Sequence, residues 1–381
     1  MSISDFPSET YTVKFEKLLS NGCCLAHADG MAVFVPYAIP GETAEIRITE
    51  QKKGYLLGKI IGISDYDDSV RIQPKCPVFT RCGGCALQHI QYERQLELKK
   101  NMLLETLSRT GHLSKMPEVR VFPSEPYGYR ARVQLHPTAD SRPGFMSGAT
   151  NTVLPIAECP ICNAAINSVL KNEKLRLHER TTFYSPDNRT VHTGAADFTF
   201  TLRDRELTAS AQCFFQSNPV MYQKVLEELL MNVESGNTYL DLYSGIGLPG
   251  IFMADRFQEL YFVEENPVSS RYGIKNIKDL HNCRFFNMKS EVWIKSPRSH
   301  ISFDTVFVDP PRTGLSESVC SYLIKKQPEN IYYLSCNFTT LARDLGKMTE
   351  SGGYKIEFFD MFDFYPQTAD MECLVKLKKG N

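Results

Sequence analysis

From Ala209 onward the sequence repeats one pattern: a short apolar, β-rich run stops at a polar residue, and a helical stretch follows. TYLDLYSGIGLPGIFMAD gives a strand ending at Asp241, a glycine turn (Gly245, Gly247, Gly250) and a helix; ELYFVEEN gives a strand ending at Glu264, with a helix through Asn276. RFFNMKS is a third strand near Asn287, FDTVFV leads into Asp309 and NIYYLS into Cys336. Such alternation restricts the chain to a doubly wound α/β sheet. Two further runs, YKIEFFDMFDF and MECLVKLKK, have no helix between them, so the sheet is expected to end in a hairpin. In open α/β sheets ligands gather at the carboxyl ends of the strands, which is where Asp241, Glu264, Asp309 and Cys336 fall. Cys336, with a helix N-terminus just behind it, is expected to be a nucleophilic thiolate.

The first part of the chain reads differently. Between Tyr11 and Ile63 about five short strands are separated by turn signals at Asn21-Gly22, Asp29-Gly30 and Pro40-Gly41, the pattern of a small OB-like barrel. Its glycine turns and the run VFVPYAIPGE resemble the small RNA-binding TRAM module. With a net charge of −1, any nucleic-acid contact must come from a local patch. Cys76, Cys82 and Cys85 follow in a C-x5-C-x2-C arrangement, with Gly83 and Gly84 allowing a tight loop. Thiolates at this density select zinc or an iron–sulfur cluster; the fourth ligand would be Cys159 or Cys162. The spacing is not the C-x3-C-x2-C of radical S-adenosylmethionine enzymes. Gln91 to Leu113 reads as a helix, with Leu96, Met102, Leu103, Leu104 and Leu107 as its apolar residues, and is expected to pack on the C-terminal unit. From Val119 to Leu207 the chain is β-rich again, and its Arg130, Arg132 and Arg142 are candidate RNA contacts.

The expected organisation is therefore a barrel over 8–65, a central unit over 66–208 and a Rossmann-like unit over 209–381. Twelve cysteines with no export signal at the start of the sequence argue for reduced thiols and a cytoplasmic protein, and no apolar stretch is long enough to span a membrane. The glycine loop lacks both the three-glycine pyrophosphate pattern and a P-loop lysine, so S-adenosylmethionine fits it better than a dinucleotide or ATP. Glu264 is placed to accept hydrogen bonds from a ribose.

Taken in order, C-x5-C-x2-C, FFQSN, DLYSGIG, FVEEN, DPPRTGL, LSCNFTTLARD and a late glutamate resemble the RNA uracil-C5 methyltransferases, in the iron–sulfur, TRAM-containing branch that acts on ribosomal or transfer RNA. The resemblance implies Cys336 as nucleophile and Glu372 as general base. It also implies Gln216, Tyr243, Glu264, Asn287 and Asp309 around the S-adenosylmethionine and base pocket, and Phe214 near a flipped base. Cys76, Cys82, Cys85 and Cys159 would hold a four-iron four-sulfur cluster, in a structural or RNA-positioning role. A monomer acting on 23S ribosomal RNA in preference to transfer RNA is expected. The chemistry agrees with the residues: thiolate attack at C6 of uracil gives C5 the electron density to accept a methyl group, and a carboxylate must then remove the C5 proton. The base must be unpaired or flipped to be reached.

Three positions depart from the family: Ser244 stands for a usual cysteine, Leu248 for a polar residue and Asp370 for a histidine. Cytosine-C5 methylation would call for a cysteine in a D-x-P-C string, where this chain has DPPR. An amino-methyltransferase would need neither Cys336 nor Glu372, and a non-catalytic iron–sulfur RNA-binding module would not bind S-adenosylmethionine.

Overall fold

The computed structural model describes residues 10–148 and 150–380; the opening stretch MSISDFPSE, with the first two residues of the expected barrel, lies outside them. Thr10–Asp65 forms a six-stranded, largely antiparallel sheet whose first and fifth strands pair and whose fourth and sixth run parallel. One face is closed over Val13, Phe15, Ala26, Val33, Val35 and Ile46, all buried. The expected barrel has one more strand than the turn signals indicated, the two-residue Lys17–Leu18.

The C-terminal sheet has eight strands: β1 Val119–Phe122, β2 Gly236–Leu242, β3 Phe257–Glu264, β4 Cys283–Asn287, β5 Thr305–Val308, β6 Asn330–Ser335, β7 Tyr354–Phe362 and β8 Glu372–Lys379. Their order is β4-β3-β2-β5-β6-β8-β7-β1. β2 to β6 are parallel, β8 is antiparallel to both β6 and β7, and β1 runs parallel to β7. Both faces of the sheet are covered, so its strands read as unbroken apolar runs: Val306 and Val308 enter one core, Phe307 the other. Helix α1 (Tyr92–Gly111), as expected, lies with this sheet, packing on α5 (Phe338–Glu350) and near β1. Between them in sequence come α2 (Pro219–Asn232), α3 (Pro267–Asn276) and α4 (Glu317–Lys326).

Two expectations are corrected. The glycine turn after β2 is followed by a 3-10 segment, Gly250–Arg256, and not by an α-helix. A side chain at Gly250 would fall within 2.4 Å of Phe262 and 2.7 Å of Asp241, so only glycine fits where this segment starts against the sheet. The buried face of α1 is also not purely apolar: Gln95 and Lys99 are fully buried while Leu104 is exposed.

The central region contributes a five-stranded antiparallel sheet, a short helix (Ala164–Leu170) and a hairpin (Asp197–Leu202 with Arg205–Ser210). No helix among the described residues is long and apolar enough to cross a membrane.

Candidate active site

The register of the C-terminal sheet brings Cys336 and Glu372 together. Ser335 of β6 pairs with Cys373 of β8 as the last pair of their antiparallel ladder, and Cys336 and Glu372, the residues next to that pair, line the same cavity. β5 lies on the other side of β6, with Val308 beside Tyr333, so Asp309 emerges at the same edge. β2 and β3 supply Tyr243 and Glu264 from their carboxyl ends. Gln216, Tyr243, Glu264, Asp309, Cys336 and Glu372 all line one cavity of about 1190 Å³, together with Phe214, Arg312 and Tyr365. Tyr243, Glu264, Asp309, Cys336 and Glu372 stand at strand ends, where the ladder fixes the backbone but frees the next side chain.

Each side chain has a distinct setting. Glu264 is aimed by two backbone donors, Gly245 N–H at 2.9 Å and Asn266 N–H at 2.7 Å. Asn287 is not on the cavity wall; its amide holds the Glu264 and Glu265 carbonyls and Ser270 Oγ, bracing the turn from behind. Two buried oxygens at the glycine turn, Asp241 Oδ1 and Ser244 Oγ, have no hydrogen-bond partner. Burial and the Glu264 carboxylate raise the Asp309 carboxyl to about 7. Glu372 is 1 % exposed; burial first, then Asp309 and Asp370, push its carboxyl well above the ordinary range, against Tyr365 and Arg312. Burial, then Glu372 and Asp309, raise the Cys336 thiol to about 12. The nucleophilic thiolate expected at Cys336 therefore has to form against burial and two carboxyl neighbours. Cys336 does precede Asn337, the N-cap of α5, but at this site burial and two carboxylates outweigh one helix terminus.

The loop over the site is held by residues whose roles the sequence did not disclose. Asp344 of α5, itself buried, accepts from Leu315 N–H at 2.9 Å and from the Tyr333 hydroxyl at 2.8 Å. Arg343 donates to the Thr313 and Leu315 carbonyls, and Asn337 to the Arg312 carbonyl. Gly314 adopts φ +73°, and a side chain there would strike Asp344, Arg343 and Thr340 within 2.9 Å. The LARD and DPPRTGL strings are thus two halves of one latch.

A second cavity of about 820 Å³ adjoins the first, and Arg312 lines both. Cys76, Cys82, Cys85 and Cys159 all open onto it, with Arg130, Arg132, Gln134 and His136. All four cysteines are free thiols. The Cys82–Cys85 loop is pinned by Gly83 N–H to the Met146 carbonyl at 3.0 Å, and the Cys159 turn by Asn167, which bonds both N–H and carbonyl of Cys159. Cys162, the alternative fourth ligand, is buried in an apolar core with Val133, Leu135 and Ile166, against which Cys159 also packs; it is hydrogen-bonded to Cys159 but does not line this cavity. Among the described residues no three His, Cys, Asp or Glu side chains are gathered tightly enough for a single metal ion.

The family model described as tRNA (Uracil-5-)-methyltransferase matches residues 191–380, and that of the TRAM domain residues 6–61. An uncharacterised RNA methyltransferase of Treponema denticola is 33% identical over 97% of this chain and 99% of its own. The chain belongs to the RNA uracil-C5 methyltransferase family. The methyltransferase is also 27% identical to the 23S rRNA (uracil(1939)-C(5))-methyltransferase RlmD of Legionella pneumophila, over 97% of each. In fold, this methyltransferase matches the Pyrococcus abyssi tRNA (uracil-54, C5)-methyltransferase solved with S-adenosyl-L-homocysteine. The TM-score is 0.72, at 22% identity over 96% of this chain and 100% of that one. The methyltransferase thus carries a TRAM domain, a β-rich central region and an α/β methyltransferase sheet.

Proposed function

We propose that this RNA uracil-C5 methyltransferase acts on ribosomal RNA, with Cys336 as nucleophile and Glu372 as the base that completes turnover. The observation that supports these residue roles is that both side chains line one cavity, each next to the last β6–β8 pair, Ser335 with Cys373. Cys336 adds to C6 of the flipped uridine, which gives C5 the electron density to take a methyl group. Glu372 then removes the C5 proton, and the C6–S bond breaks as the double bond re-forms. Glu372 suits this step because a carboxyl raised by burial is a stronger base once ionised.

Gln216, Tyr243, Glu264 and Asp309 would hold S-adenosylmethionine, which supplies the methyl group as an electrophile when bound. The Glu264 carboxylate, aimed by the Gly245 and Asn266 N–H groups on the cavity wall, fits a polar ligand at this turn. Phe214, 64% exposed with the Arg132 guanidinium 5.8 Å from its ring centre, offers the extruded base a stacking surface.

Cys76, Cys82, Cys85 and Cys159 would hold a four-iron four-sulfur cluster. All four thiols open onto one cavity, and a set of soft thiolates suits such a cluster. The cluster would serve as a structural and RNA-positioning element, since no step above needs it. Anaerobically purified protein should be brown and carry iron; colourless, zinc-loaded protein would sink this assignment.

The ribosomal reading draws on the similarity to RlmD along the full length of both chains. Mass spectrometry of RNA from cells lacking the protein tests it: 5-methyluridine should disappear from ribosomal RNA. Loss from transfer RNA alone would transfer the assignment to that substrate, and no loss anywhere would remove it. The protein is proposed to work as a cytoplasmic monomer.

A further inference from the structure

The phenol of Tyr365 stands between two groups of this site. Its hydroxyl is 3.4 Å from Glu372 Oε1 and 3.5 Å from Gln216 Oε1, and it lines the cavity that holds Cys336. Both contacts are longer than a relaxed O–H···O bond, as in sites that tighten when substrate enters. Glu372 Oε2, by contrast, is buried and has no hydrogen-bond partner. The two oxygens of the carboxyl are therefore unequal: one is held by a donor and the other is bare.

The phenol is itself firmly placed. Lys99, fully buried on α1, donates to Asp363 Oδ1 at 2.6 Å, to the Tyr365 carbonyl at 3.0 Å and to the Asp370 carbonyl at 2.9 Å. Gln95 and Gln367 bond each other twice at 3.0 Å, and the Tyr129 hydroxyl donates to the Pro366 carbonyl at 2.9 Å. The segment from Asp363 to Asp370 is thus tied on both sides of Tyr365, and a locked support is what holds a reacting group in register.

We propose that Tyr365 is a positioning residue for proton removal: it fixes the Glu372 carboxylate through Oε1, leaving Oε2 as the atom that takes the C5 proton. The inference rests on the uracil-C5 reading with Glu372 as its base. A phenol carries one proton and can donate to one oxygen at a time. While Glu372 is ionised, Oε1 is the stronger acceptor and takes that bond. When the C5–H bond breaks, the proton goes to Oε2, the C–H electron pair forms the C5–C6 double bond, and sulfur leaves C6 with its own pair. Oε1 is then a carbonyl oxygen, and the phenol is free to turn to Gln216.

Other groups face Glu372 as well: Asp309 at the end of β5, Arg312 in the loop above, Asp370 on its own segment, Cys336 on β6 and Cys373 beside it. Arg130 reaches the phenol from the central region. Asp309 and Asp370 disfavour the carboxylate while Arg312 favours it, and Tyr365 is the neutral donor bonded to it.

Replacing Tyr365→Phe keeps the ring and removes the donor. The acid limb of the pH–rate profile for methylation should move to higher pH, lowering turnover at neutral pH ~3- to 10-fold, the effect of half to one pKa unit, with recovery on the alkaline side. Formation of the covalent adduct with RNA carrying 5-fluorouridine, which has no C5 proton to remove, should keep its wild-type rate and so reports an intact fold and cofactor site. A profile superimposable on wild type, or adduct formation that falls in parallel with turnover, overturns the proposal. A wild-type enzyme that forms no adduct overturns the uracil-C5 reading and the inference with it, so the wild-type reaction separates the two failures.

Discussion

Burial first, then Glu372 and Asp309, push the Cys336 thiol upward, so its reactivity depends on the charge its neighbours carry. Removing one negative neighbour lowers the thiol's pKa. Glu372→Gln should therefore alkylate faster than wild type with iodoacetamide at pH 8, by about tenfold for each pKa unit regained, while turning over RNA far more slowly. An unchanged alkylation rate would show that burial alone sets the thiol. Asp309 makes a separate prediction. Its folded-state pKa of about 7 lies above the unfolded value of ~3.9, so the folded state binds the extra proton between these limits. Its contribution to stability is intact below the unfolded pKa and is lost as pH rises through about 7. Wild type should lose melting temperature relative to Asp309→Asn on going from pH 5 to pH 8, measured without ligands; parallel melting curves would contradict this. None of these couplings was legible in the sequence, where Cys336 showed only its helix N-terminus. The opposing carboxylates come from β5 and β8, 27 and 36 residues away in the numbering.

Strands and their ends were the most readable elements, because each apolar run stops at the polar residue that enters the cavity. What joined them was less so. β1 is four residues, VRVF, and nothing in so short a run says that it will add to a sheet built more than a hundred positions later. The LARD string was recognisable as a motif, yet its work is mechanical: Asp344 satisfies Leu315 N–H and the Tyr333 hydroxyl. Asp344→Ala leaves that amide and hydroxyl without an acceptor and should cost about 1.5–3 kcal/mol. Urea denaturation measures the loss, and activity should fall with it as the DPPRTGL loop comes free of α5. Retained stability and turnover would mean that Arg343 and Asn337 suffice as the latch.

Across the whole molecule, α1 joins the barrel side of the chain to the catalytic sheet through buried polar groups. The helical periodicity located α1 correctly, but it could not reveal that Lys99 faces inward, since an ammonium is buried only where a distant partner neutralises it. That partner, Asp363, is 264 positions away, and both side chains are 0 % exposed. Lys99→Met should cost about 3–5 kcal/mol because it strands the Asp363 charge; adding Asp363→Asn should recover part of the loss in a denaturation cycle. Additive losses would mean that the pair does not act as a unit.

The place of β8 in the sheet has a consequence for the order in which the protein is made. Synthesis releases Cys336 before Glu372, yet the strand that carries Glu372 is the one that fills the gap between β6 and β7. Until it has left the ribosome the sheet is split, and Cys336 lacks the wall of its cavity that Glu372 supplies. If Cys336 attacks and Glu372 releases as proposed, a nascent chain acquires the capacity to attach itself to RNA and the capacity to let go in the same folding event.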